Sequence, residues 1–432
     1  MKDRRSRGIH AFHLSALVAL LVTGCAKTGS SPTVEPAAAA PTSLNFQAPT
    51  ILSRPDTTFA TAFVAASANG ERAYAWTAAS PENSGLMIQV PPASPAVLAD
   101  ADGMPAVDPE TPAKIAFGPG GELYVAYSIN ELPKPAGKAP SPPTEPRTSF
   151  RVVRSDDQGR TWSTPGQVAD DGSWGTYRND HAFHVNERGT LFAAWLDSRV
   201  PDTVRLYFSR SSDRGATWSK NLAVDADSPC ECCRIALASS APGHVYMAWR
   251  KILPGGIRDI VVSHSADEGA TWSAPVRSHA DDWTFDGCPD AGPSLLAETN
   301  GRLHLVWWTG KEGAAGVRYV SSSDGGKTWG TAVPLKVGAA SRPSHAQIAR
   351  RADGSLYVVW DDGISSQPQI VVAVSRDGGR SFSAPQLVSE KGAAAVFPSV
   401  AVTQDSLTIV WHQPDPQHDS LHQVMARTAA LR

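Results

Sequence analysis

Hydrophobic positions along the chain gather into short, nearly unbroken runs that end in an aromatic ring. Segments rich in Gly, Pro, Ser and Asp separate them. The runs at 123–127, 191–195, 245–249, 303–308 and 356–360 end in Tyr127, Trp195, Trp249, Trp308 and Trp360. Five or six apolar residues in a row, many of them β-branched or aromatic, predict strands buried on both faces. Two more copies, 73–76 and 407–411, stand near the start and the end and bring the count to seven. No stretch shows the 3.6-residue apolar period of an amphipathic helix.

Between the runs one phrase returns, Ser-x-Asp-x-Gly-x-Thr-Trp. It occupies 155–162, 211–218, 265–272 and 322–329, and 375–382 repeats it with Ser381 and Phe382 at the end. The last residues of successive copies lie 56, 54, 57 and 53 positions apart, and so steady a period marks a stacked-repeat architecture. Asp followed by Gly between two β-rich runs is the chemistry of a tight hairpin. Gly accepts a positive φ without steric cost, and the Asp carboxylate accepts bonds from nearby backbone N–H groups. The Ser and Thr hydroxyls close further local bonds, and the terminal Trp buries a large ring at the start of the outgoing strand. The repeated Asp residues therefore read as turn carboxylates, not as catalytic acids.

This phrase resembles the Asp box, or BNR repeat, of the sialidase superfamily of β-propellers. The resemblance implies an all-β propeller of four-stranded blades, with the aromatic-ended run as strand two and the box turning strand three into strand four. Seven runs imply seven blades; six blades with an irregular extra sheet, after the six of sialidases, is the alternative. The last unit runs out after three strands near 424–429, so a strand within 43–52 is expected to supply its fourth and close the ring. Radial closure is how such sheets protect their edges.

Charge and the N-terminus narrow the setting. A net charge of −3, with no long basic run after residue 7, excludes the basic stripe of a nucleic-acid binder. Lys2, Arg4, Arg5 and Arg7 precede a short apolar core at 16–22, too short for the roughly 20 residues of a membrane span and typical of an export signal. The following Val22-Thr23-Gly24-Cys25 resembles the bacterial lipobox, which implies lipidation of Cys25. The expected organisation is a signal peptide at 1–24, the lipidated Cys and a flexible Ala/Pro/Ser/Thr tether at 25–42, and the propeller at 43–432. Ala26 after the Cys implies the outer membrane, so the membrane is touched through the lipid anchor alone.

The same resemblance locates the candidate chemistry. Box turns lie on one side of a propeller, while the loops joining strands two and three, and strand four to the next strand one, lie on the other. On that second rim the candidate binding residues after strand two are Arg199, Arg258, Asp259 and Asp361. Those before strand one are Trp174, His181, Arg234, Trp283, Asp286, Asp290 and His345. Trp174 and Trp283 follow a box Trp by 12 and 11 residues inside Asp-rich loops; each is either a sugar platform or a ring folded back on its blade. The Pro-rich insertion between 129 and 150 is expected to edge the same rim.

Sialidases clamp a substrate carboxylate with three Arg forks and add an Asp acid/base and a Tyr–Glu nucleophile. The resemblance maps the clamp onto Arg178, Arg250 and Arg342, and the acid onto Asp180 or Asp197. Their Phe-Arg-Ile-Pro signature is missing, with Ser53-Arg54-Pro55 its only echo, and the late rim loops carry no Tyr, so whether the chain is an enzyme stays open. Cys230, Cys232, Cys233 and Cys288 lead into strand one of adjacent blades and should meet. In an oxidising compartment they form two disulfides, or else a thiolate site for copper(I) or zinc; no cofactor is required otherwise. The sequence thus describes a lipid-anchored propeller that recognises a carbohydrate or similar small envelope ligand on its Cys-bearing rim. An exo-α-sialidase, a Cys-based metal or redox lipoprotein and an interaction scaffold are the alternatives, and the oligomeric state is left open.

Overall fold

The computed structural model describes residues 43–79, 85–98, 103–106, 111–131, 147–171, 178–338, 344–363 and 367–431. The expected leader, Cys25 and tether lie outside these residues, as do 132–146 of the Pro-rich insertion. Every regular element among the described residues is a strand, and consecutive strands pair antiparallel into seven sheets. The inner strands of the seven blades are Phe59–Ala66, Lys114–Phe117, Arg178–Val185, Ala236–Ser239, Ser294–Ala297, Ser344–Arg350 and Val396–Val402. The expectation of seven blades holds, and the alternative of six does not. One feature was not legible: the second blade gains a short fifth strand, Gly103–Pro105, on the far half of its long Leu123–Glu131 strand.

Ring closure follows the expected route. Thr50–Ile51 pairs with Met425 and Ala426 of the last strand, and Phe46 bridges Ala429 further along. Upstream, the Leu44 backbone exchanges two 2.7 Å bonds with the Gln386 amide of the sixth blade. The final sheet therefore joins the two ends of the propeller and leaves neither edge bare.

The buried residues divide into seven clusters, each filling one seam between consecutive blades. The reason lies in strand two. Its apolar run alternates sides, and the aromatic near its end is laid against the preceding blade. Trp76, Tyr127, Trp195, Trp249, Trp307, Trp360 and Trp411 are each at most 1% exposed. A ring of this size removes about 150–250 Å² from water, and truncating one to Ala costs about 3–5 kcal/mol. In the fifth blade the buried ring is Trp307, one residue before the expected end of the run; Trp308 faces the other way.

The box turns form as their residue types require. In the first copy Ser155 donates to the Asp157 carboxylate at 2.8 Å and accepts from the Gly159 N–H at 2.8 Å. Thr161 donates both its N–H and its hydroxyl to Asp157. The same pattern recurs in all five copies, with hydroxyl-to-carboxylate distances of 2.5 to 2.7 Å at the seventh position. The fifth residue must be Gly for two reasons. At Gly269 φ is +86°, and an added Cβ would run into the Phe208 ring of the preceding blade.

Donated bonds from Thr161, Thr217, Thr271 and Thr328 pull Asp157, Asp213, Asp267 and Asp324 down to about 2. At Asp377 burial pushes upward, but the Ser381 donors prevail and the value is again about 2. A carboxylate with a lowered folded-state pKa contributes stability above its ordinary value of 3.8, and that contribution is lost as pH falls toward 2. The fold should thus lose stability steeply between about pH 4 and 2. In melting curves from pH 7 to 2, Asp267→Asn should start lower than the unaltered protein and lose less across that window. Parallel curves would contradict the assignment.

Candidate functional site on the rim opposite the boxes

Seven inner strands converge on the propeller axis, and small residues such as Ala182, Ala236 and Ala238 keep them from closing it. They enclose a central cavity of about 380 Å³ to which all seven blades contribute, a volume within the ~300–1,000 Å³ of small-molecule sites. At the rim end of this cavity stand Thr61, Lys114, Arg234, Gln347 and Phe397. The inner strands are irregular at this end. Register breaks between Asn179 and Ala182, between Ser344 and Gln347, and between Val396 and Ser399. Inside these bulges Asp180, His345 and Phe397 take φ of 51°, 50° and 56°. A non-Gly residue in such a conformation costs of order 1–3 kcal/mol and persists only when its surroundings over-determine it.

Asp361 supplies that constraint for two blades at once. Its carboxylate accepts the Ser344 N–H at 2.9 Å, the Phe397 N–H at 3.1 Å and His345 Nδ1 at 2.6 Å. Burial pushes its pKa up, but the His345 ring and the two amides outweigh this and hold it below the usual carboxylate range. His345 packs on the Phe397 ring with centroids 4.3 Å apart, and the Arg234 guanidinium carbon lies 5.6 Å from that ring. The mouth therefore presents the Phe397 ring with the cationic Arg234 and Lys114, and His345 backs that ring from within the fold. Beside it, Cys230, Cys232 and Cys233 bring their sulfurs within 4.8 Å of one another, and Cys232 approaches Cys288 and Asp290 equally closely.

Residues 94–284 match the family model of the BNR repeat-like domain. The chain is a seven-bladed β-propeller that carries a BNR repeat-like stretch. Among solved structures it is similar to a protein of unknown function from Dyadobacter fermentans, with 15% identity, a TM-score of 0.52, and 74% of this chain and 94% of that one covered. It is also similar to Hadza microbial sialidase Hz136, with 17% identity, a TM-score of 0.49, and coverage of 85% and 74%. A third likeness is the α-L-arabinofuranosidase of Fusarium graminearum, with 18% identity, a TM-score of 0.46, and coverage of 74% and 92%. No curated protein matches the chain.

The propeller brings together some of the residues singled out from the sequence and sequesters others. Arg234 lines the mouth with Phe397, and His345 and Asp361 back that ring; Asp180 is buried in its own bulge, with its N–H on the Thr111 hydroxyl. His181 is buried against Phe150 beside Ser128; burial first, then Lys114, pushes its pKa well down, so it serves as a neutral core histidine. Of the expected sialidase-like clamp, Arg250 alone has its side chain among the described residues. Arg250 is 1% exposed and commits four of its five N–H donors to the carbonyls of Arg258, Ala291 and Trp308, which turns it into a buried structural anchor. Asp197 is fully buried, held by the Trp195 indole and by Arg199, so it is sealed from any glycosidic oxygen. Arg199 itself bridges Asp170, Asp171 and Asp197 and stacks on Tyr207. Asp259 is likewise buried beneath Arg277.

Trp283 is the ring folded back, not the sugar platform: it is 5% exposed, stacks on Phe285, meets Trp308 edge to face and lies under the Arg250 guanidinium. Trp174 and Arg342 lie outside the described residues, and so does the Arg178 side chain. Asp286 stays exposed on the loop that carries Cys288. The disulfides are not formed. The closest sulfurs, Cys230 and Cys233, are 3.0 Å apart, against about 2.0 Å for a bond. Hydrogen bonds from Cys232 and Cys233, with Arg250 and Arg258 nearby, pull Cys230 below the usual thiol range, while its partners are pushed up.

Lys114, Gln347 and Phe397 were missed because they lie in inner strands and not in loops. Phe397-Pro398 at the head of an otherwise small-residue strand was the available signal. The keystone role of Asp361 has a direct check. Asp361→Ala leaves two amides and an imidazole without their acceptor and should lower stability by about 3 kcal/mol in chemical denaturation. Asp361→Asn, which still accepts, should lose less. An alanine variant as stable as the unaltered protein would overturn that role.

Proposed function

We propose that the protein is a cell-envelope lipoprotein that binds a carbohydrate over the mouth of its central cavity, on the rim away from the Asp boxes. The observation that carries this reading is the bulged, left-handed trio of Asp180, His345 and Phe397. Strained residues of this kind cluster at functional sites, and bulges re-aim side chains beside them. An aromatic face suits a sugar ring, and Arg234 with Lys114 favours one that carries a carboxylate. The sialidase and arabinofuranosidase likenesses agree with a saccharide ligand without naming it. Binding without hydrolysis is the reading for the chemistry, since Arg250 and Asp197 are sealed in the fold. The envelope location rests on the lipobox-like 22–25 and the tether that follows.

Calorimetric titration with a panel of neutral and carboxylated oligosaccharides tests the proposal. An acidic saccharide should bind, and Arg234→Ala should weaken it roughly ten- to hundredfold, the worth of about 1.5–3 kcal/mol for a charged hydrogen bond. Equal binding by Arg234→Ala would refute the mouth as the site. Release of a terminal sugar from a reporter sialoside would instead make the protein a hydrolase.

A further inference from the structure

The cysteines stand beside the mouth on two loops that the fold holds in place. The loop before the fourth inner strand is clipped to the Val245–Leu253 strand, with the Cys230 N–H on the Arg250 carbonyl and the Ile252 N–H on the Ser228 carbonyl, both at 2.9 Å. The loop before the fifth inner strand is clipped to the partner strand Ile257–Ser265 through the Arg258 N–H on the Trp283 carbonyl at 2.7 Å. The two loops touch where Gly292 passes Arg234, a spot where any Cβ would collide with backbone. Two of the four thiols, Cys230 and Cys233, are 1% exposed, and none is paired as a disulfide.

We propose that Cys230, Cys232, Cys233 and Cys288 bind one soft d10 cation, zinc or copper(I), with Asp290 at its edge. Zinc held tetrahedrally at about 2.3 Å from each sulfur needs sulfurs about 3.8 Å apart. The separations of Cys230 from Cys233 and from Cys232, 3.0 and 4.0 Å, bracket that spacing. Cys232 is the shared corner, belonging both to the three-sulfur group and to the group with Cys288 and Asp290. Thiolates select soft metals over magnesium or calcium. The surplus negative charge has its counterweight, since Arg258 donates to Cys230 at 3.2 Å and Arg250 lies beneath the same loop. The cation would tie the fourth blade to the fifth and fix the backbone of Arg234 next to Cys233. The site stands on the sulfur geometry alone and holds whether or not the mouth binds a saccharide.

The test uses the full chain, reduced and stripped with a chelator, then loaded anaerobically with zinc or with copper(I) in separate samples and desalted. Elemental analysis should find one metal per chain. Peptide mapping with an alkylating reagent should show Cys232 and Cys288, the two thiols that the fold leaves accessible, shielded when loaded and reactive when stripped. Cys288→Ser should lose retention of the bound ion, and retention unchanged from wild type would overturn Cys288 as the fourth ligand. If the reduced, folded wild-type protein retains neither metal, or the thiols alkylate equally with and without metal, the proposal fails. Mapping of two intact disulfides in the freshly isolated protein would overturn it as well. Because these readings come from the wild-type chain, a variant that fails to fold does not rescue it.

Discussion

One contact repeats around the ring and the rest of the molecule depends on it: the aromatic near the end of each strand two pressed into the preceding blade. Seven such rings fill seven seams, so each blade is stabilised by its neighbours and not by a common centre. That arrangement leaves the axis open. The inner strands, rich in small residues, line a cavity instead of filling it. Closure by Thr50–Ile51 matters for the same reason, since a missing seam would expose two apolar faces together.

The two rims then divide the work. On the box side, five turns of one hydrogen-bond pattern hold strands three and four and tuck their Gly against the adjacent blade; their carboxylates take bonds from local donors. On the other rim, carboxylates reach across seams. Asp225 of the third blade accepts the Trp249 indole of the fourth, and Asp281 accepts that of Trp307. Asp361 joins the sixth blade to the seventh through Phe397. These buried acids convert a stability device into a positioning one, because they set the backbone on which the mouth residues ride.

Fold and site were unequally legible in the sequence. Box and apolar run are local patterns that repeat, so hairpins and the number of units could be read from spacing, while the four-stranded blade and the closing strand came from the resemblance that the box carries. The site depends on contacts remote in sequence. His345 and Phe397 take their strained conformations from Asp361, 16 and 36 residues away, and nothing in their neighbours announces it. Residue type also misled. Arg250 and Asp197 look like rim chemistry, yet three carbonyls claim the first and a Trp–Arg pair the second. Trp283 sits in a polar loop, but its burial is decided by Trp308 and Arg250. The cysteines were legible as a meeting point, though not as an unbonded one.

The central claim is that the rim bearing Arg234, His345 and Phe397, and not the rim bearing the boxes, is where the propeller meets its ligand. Hydrogen–deuterium exchange with and without a saturating acidic saccharide tests it most directly. The account predicts slowed exchange at 111–117, 230–236, 344–349 and 396–400, with the box turns at 155–162, 211–218, 265–272 and 322–329 unchanged. Protection confined to the box turns would contradict it.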